Sequence, residues 1–145
     1  MTKSRKKIRI QEYPLIERLL EETKLFYKNK ALLGFIFVAS ALAELILREI
    51  IGIENGTYGY LISNAEVDPK KKINVDTHKQ IKEIRNKYFH ITARRINDFN
   101  GLVVVDKEDK ATFISELDTR DGFEISISED AQNIHKLLNR VIETF

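Results

Sequence analysis

The sequence predicts a mainly α-helical antiparallel bundle with a small antiparallel β-meander inserted before its last helix. Three observations predict it. Apolar residues recur at helical spacing before residue 95 and again at the end of the chain; the segment 30–51 is apolar almost all round; and between 102 and 127 the pattern changes to short β-rich runs separated by turn-forming Asp and Gly. With 145 residues, 43 % of them hydrophobic, one domain over 1–145 is expected, its helical core at about 14–95 and 128–145 and its β insertion at about 102–127. A domain of this size can bury roughly 70 % of the surface its unfolded chain exposes, so it needs no covalent staple.

A first helix is expected over 14–29. Pro14 suits its first turn, where no amide hydrogen is needed, and Leu15, Leu19, Leu20, Thr23, Phe26 and Tyr27 follow at helical spacing before Asn29 ends or hinges it. The second helix, 30–51, carries Leu32, Leu33, Phe35, Ile36, Val38, Leu42, Leu45, Ile46 and Ile50, the pattern of a central bundle helix, and Gly52 closes it. A loop over 53–57 contains Asn55-Gly56, and 58–64 makes a short helix or turn before the linker Pro69-Lys70-Lys71-Lys72. Asn74 or Asp76 can cap a fourth helix over 75–91, whose stripe is Ile81, Ile84, Tyr88 and Ile91. The β-rich runs are 102–105, 111–117 and 123–127, with hairpin connections at 106–110 and 118–122. Ser126 or Ser128 then caps a final helix with Ile134, Leu137, Leu138, Val141, Ile142 and Phe145 on one face. That face must pack on the earlier helices, which makes the meander an insertion in one domain.

Composition excludes several function classes. There is no Cys, so disulfide frameworks, thiolate metal sites and cysteine nucleophiles are ruled out, in keeping with a reducing, cytoplasmic setting. The basic start through Arg9 is followed by Glu12 and Pro14 rather than an apolar segment, so export is not expected. The longest apolar run, 31–43, is 13 residues, short of the ~20 that span a bilayer. No phosphate-binding glycine loop and no His-Glu-x-x-His occurs, and the three His are dispersed; neither a cofactor nor a metal is expected. The formal charge of +2 conceals segregation: 70–95 holds nine Lys and Arg (70, 71, 72, 79, 82, 85, 87, 94, 95) against Asp76 and Glu83, whereas 106–130 holds nine acids against three bases. A basic face suits a polyanion, and uneven charge equally suits solvated surface or a self-complementary contact.

The chemistry-bearing element is Arg85-Asn86-Lys87-Tyr88-Phe89-His90, late in the fourth helix and preceded by the apolar second helix that ends Ala43-Glu44-Leu45-Ile46-Leu47-Arg48-Glu49-Ile50-Ile51-Gly52. An Arg, then a polar residue, then a His after four intervening positions resembles the HEPN superfamily; Ile84 to His90 is also similar to the corresponding stretch of mannitol-operon-repressor-like proteins. The resemblance covers roughly 14–95 and the last helix. It implies metal-independent RNA cleavage in the catalytic branches, among them RNase-like toxins and defence proteins that act with an antitoxin or other protein partner. In other branches it implies non-catalytic regulation or nucleic-acid or protein binding. It also implies a homodimer with a composite site. Thr92 stands where toxins paired with a nucleotidyltransferase antitoxin carry a Tyr, so control by modification of that tyrosine is not expected.

Chemistry leads the same way as the resemblance. A ribose 2′-hydroxyl attacks the adjacent phosphorus when one group takes its proton, another protonates the leaving oxygen and a cation stabilises the charged transition state. His90 and Arg85 are the right types. His78 lies twelve positions before His90, roughly 18 Å along a helix, so one chain offers one imidazole and a second copy must supply the other. Asn86 and His90, four apart, share a helix face, whereas Arg85 and His90 are about 140° apart. Asn86 is therefore assigned to holding His90 or contacting phosphate, and Arg85 to the phosphate or the partner's site.

Alternatives stand beside each assignment. His90 can be a helix-end imidazole favoured by the dipole, Asn86 an exposed helix residue, and Arg85 an ion-pairing arginine with Glu44 or Asp76. Glu44 either faces the motif and positions Arg85 or His90, or simply pairs with Arg48 four residues on. Lys87, Arg94 and Arg95 either grip RNA phosphates or are solvated charge. His78 and His135 are read as surface or packing residues.

Overall fold

The computed structural model describes residues 10–67, 73–89, 103–105, 111–113 and 120–143. A 3-10 turn, Ile10–Glu12, leads into α1 (Pro14–Lys28), which has Pro at its start as the sequence predicts. The helix stops where Lys30 turns to φ 57°, and the amide of Ala31 closes back on the carbonyl of Phe26 at 2.9 Å. This left-handed closure satisfies helix-end carbonyls that would otherwise be unpaired.

Helix α2 (Leu32–Ile51) follows immediately and buries Phe35, Ile36, Ala39, Ser40, Leu42, Ala43, Ile46 and Leu47. It is the central helix, packing against α1, α3, α4 and α5. Two hydroxyls survive in the core by bonding back along their own helices: Ser40 Oγ donates to the Ile36 carbonyl and Thr23 Oγ1 to that of Leu19, each at 2.6 Å. Gly52, at φ 77°, ends α2 in the left-handed region that glycine adopts without a Cβ penalty. Arg48 then holds the following loop, donating to the carbonyls of Glu54 and Gly56 at 2.9 Å each.

Thr57 caps α3 (Tyr58–Glu66), its hydroxyl accepting from the Tyr60 amide at 3.2 Å. For α4 (Val75–Phe89) the cap is Asn74, whose Oδ1 accepts from the Thr77 amide at 3.2 Å. Ile81 and Tyr88 of its predicted stripe are buried and Ile84 packs against the core; Ile91 lies outside the described residues.

The predicted meander is corrected. Val103–Val105 (β1) and Ala111–Phe113 (β2) pair antiparallel, with Val104 opposite Thr112, but the third predicted strand, 123–127, is helical. It forms part of the opening turns of α5 (Arg120–Glu143), which starts ahead of the predicted caps Ser126 and Ser128 and of the core boundary placed at 128. Burial gives the reason. A strand would put Ile125 and Ile127 on one face, yet Ile127 is 3 % exposed and Ile125 62 %. Ile127 instead begins a stripe with Ala131, Ile134, Leu138 and Val141, all buried, at alternating steps of four and three. Among the described residues no helix is long and apolar enough to cross a membrane.

Candidate functional site

Three helices converge on Arg85. It leaves α4 toward α2 and α3, its Nη1 donating to Glu44 Oε1 at 3.4 Å, and its Cζ lies 5.3 Å from the centroid of the Tyr58 ring. A guanidinium over an aromatic face is attracted by the ring's quadrupole, more strongly as water is excluded. The two ionic side chains are 23 % and 27 % exposed, so the pair is neither fully solvated nor sealed. Glu44 Oε2 is 3.9 Å from Arg48 Nη2. Both readings of Glu44 therefore hold together: it faces the motif at Arg85 and also pairs with Arg48.

Beneath Arg85 the network continues inward. The Tyr58 hydroxyl and His78 Nδ1 share a buried hydrogen bond of 2.6 Å, with the rings edge to face. His78 and Arg85 are seven positions apart, two turns along one face of α4, which is how both reach Tyr58. Burial pushes the His78 pKa down to about 4, so the ring is neutral at pH 7. Burial likewise drives the Tyr58 hydroxyl well above its ordinary value, opposed by the positive Arg85 and reinforced by the negative Glu44. His135, the other histidine read as surface or packing, stacks on Tyr27 with centroids 4.4 Å apart.

On the other flank of α4, Lys87 is engaged inside the protein. Its Nζ donates to Ser126 Oγ at 2.8 Å and to Asp130 Oδ2 at 3.0 Å, and the Tyr88 hydroxyl donates to the same Asp130 oxygen. Burial, with the Asp130 bond second, raises the Tyr88 pKa. Farther back, Lys79 pairs with Glu66, and that hydrogen bond raises its pKa. The basic run is thus less of an open cationic face than its sequence suggests, because Lys79, Arg85 and Lys87 each meet a carboxylate from α3, α2 or α5.

Asn86 lies within α4 and is half-buried, and its side chain makes no hydrogen bond with a described residue. His90, Arg94 and Arg95 lie outside the described residues. Sequence reasoning missed Tyr58 and Asp130. The 78, 85 spacing was a readable signal for a shared helix face, but nothing local marks the residue that face meets. Among the described residues there is no group of three or more His, Asp or Glu able to hold a metal ion. Comparison of the chain with protein-family models, curated proteins and solved structures returned no match.

Proposed function

We propose that the chain is a HEPN-like, homodimeric endoribonuclease that cleaves RNA without a metal, with His90 as general acid/base, Arg85 on the phosphate and Asn86 in support. The observation that supports it is the brace on Arg85: Glu44 on one side, the Tyr58 ring on the other. A cation held in place before the reaction needs no reorganisation when charge develops on the phosphoryl oxygens. Glu44 takes one Nη1 bond, and guanidinium carries five N–H donors in all, which leaves donors for phosphate.

In the reaction, one His90 takes the 2′-hydroxyl proton as that oxygen bonds to phosphorus. The bond to the 5′-oxygen breaks, and the partner's His90 gives that oxygen a proton. The products are a 2′,3′-cyclic phosphate and a 5′-hydroxyl. Incubating the purified protein with total RNA in EDTA tests the proposal: wild type should produce these ends and His90→Ala should not. RNA that is bound but left intact would assign the chain to the alternative, a non-catalytic HEPN-like regulator or nucleic-acid- or protein-binding module.

A further inference from the structure

Lys79, Lys82 and Arg85 follow one another at steps of three along α4, and all reach toward α3. Lys79 pairs with Glu66, and Arg85 rests on the Tyr58 ring with Glu44 beside it. Lys82 lies between them against Gly59, one residue on from Tyr58: a Cβ built at Gly59 would stand 2.8 Å from Lys82 Nζ, closer than such atoms approach. The glycine therefore leaves the space that the ammonium uses. Of the cations in the 70–95 run that lie among the described residues, Lys79, Arg85 and Lys87 each meet a carboxylate, and Lys82 meets none. The first turn of α3 carries no acid to supply one.

Lys82 and Arg85 are neighbours on one helix face, about 4.5 Å apart along its axis, and they lie over consecutive residues of α3. Like charges at such spacing repel, and the Glu44 carboxylate is already shared between Arg85 and Arg48. A phosphate beside Arg85 relieves the repulsion and gives the Lys82 ammonium the counter-charge that no described residue offers it. We infer that Lys82 is a second phosphate-binding residue, contacting the RNA backbone next to the phosphate assigned to Arg85; this rests on the RNA-directed reading above. An ammonium is a compact point charge without the directional fork of a guanidinium, so Lys82 adds affinity along the strand and selects no base.

The test is fluorescence anisotropy with a short, labelled, single-stranded oligonucleotide of 2′-O-methyl RNA in EDTA. Its blocked 2′-oxygen has no proton to lose, so the strand stays whole in the presence of the unaltered chain. Lys82→Gln should weaken binding roughly fivefold and flatten the salt dependence by about 0.7 in log–log slope, the effect of one phosphate contact fewer. Lys82→Arg, which keeps the charge, should hold both near the parental values. Gly59→Asp sets a carboxylate beside the ammonium where the phosphate would be. It should weaken binding as Lys82→Gln does while melting no lower than the parent, since an acid is favoured in the first turn of a helix. Lys28→Gln, at an exposed position of α1, should change neither affinity nor slope. Equal affinity and salt slope in the parent and in Lys82→Gln would overturn the inference, while binding by the parent would keep the RNA-directed reading. A Lys82→Arg protein as weak as Lys82→Gln would overturn it too, because charge would not be what the strand meets there. A parent that leaves the oligonucleotide unbound overturns both. Weaker binding by Lys82→Gln, in a protein that never cuts ordinary RNA, sustains the phosphate contact and removes the nuclease.

Discussion

Glu44 and Arg85, 41 positions apart in sequence, meet at 3.4 Å between α2 and α4, with Arg48 at 3.9 Å on the other carboxylate oxygen. A carboxylate shared between two guanidinium groups orients both, and the partly exposed setting limits what the charges contribute to folding. Glu44→Gln is therefore expected to cost no more than about 1 kcal/mol of stability while lowering the RNA cleavage rate constant roughly tenfold through a displaced Arg85. Single-turnover kinetics beside a urea melt separates the two effects; an unchanged rate constant would show that Glu44 does not orient Arg85 for cleavage.

Removing only the hydroxyl of Tyr58 asks a different question. Tyr58→Phe keeps the ring under Arg85 but takes the hydrogen-bond partner from buried His78. The expected loss is about 1–3 kcal/mol, the penalty of an unsatisfied buried polar group, read as a lower urea midpoint at constant m-value.

The same histidine makes stability fall in acid. With a folded pKa of about 4 against an ordinary 6.5, the native state binds fewer protons than the unfolded state between those values. The stability that neutral, buried His78 contributes is thus complete above about pH 6.5, is lost as pH falls, and is gone near pH 4. The loss is on the order of 3 kcal/mol. Urea melts from pH 7.5 down to about 4.5 should follow this slope, and His78→Gln should flatten it; parallel slopes in the two proteins would rule the histidine out as the cause.

Asp130 ties α5 to the turn of α4 just beyond Arg85 and Asn86 by accepting from both Lys87 and Tyr88. At 32 % and 15 % exposure, the Lys87–Asp130 pair is partly desolvated. Asp130→Asn should destabilise by on the order of 1–2 kcal/mol, and Lys87→Met in the same chain should recover part of it, because the second change removes the stranded charge. A double-mutant cycle with strictly additive effects would mean that the two groups are not coupled.

The proposed chemistry requires two imidazoles where one chain offers only His90, so a homodimer is expected in solution. Light scattering at micromolar concentration should report about twice the 16.9 kDa chain mass. A monomer at that concentration would remove the composite site.

What the sequence determined by itself is what local periodicity encodes. Leu42, Ile46 and Leu47 in a nearly all-apolar segment announce a buried central helix, and α2 is that helix; Gly52 ends it and Asn74 caps α4 because backbone termini make the same local demands wherever they occur. The Arg85–Glu44 pair was legible only as one of two options, since nothing local chooses between a partner four residues away and one 41 positions away. Tertiary structure decided the rest. Phe123 to Ile127 alternates like a strand in sequence, but the buried face continuing from Ile127 through Val141 overrides that weak preference. Lys79 and Lys87 read as open positive charge until Glu66 and Asp130 are brought beside them. The Tyr58–His78 bond likewise joins α3 to α4, and Lys136 and Arg140 line a cleft with Glu83 only when α5 lies along α4. Charge and hydrogen-bond partners are set by distance in space, and period and composition carry no record of that distance.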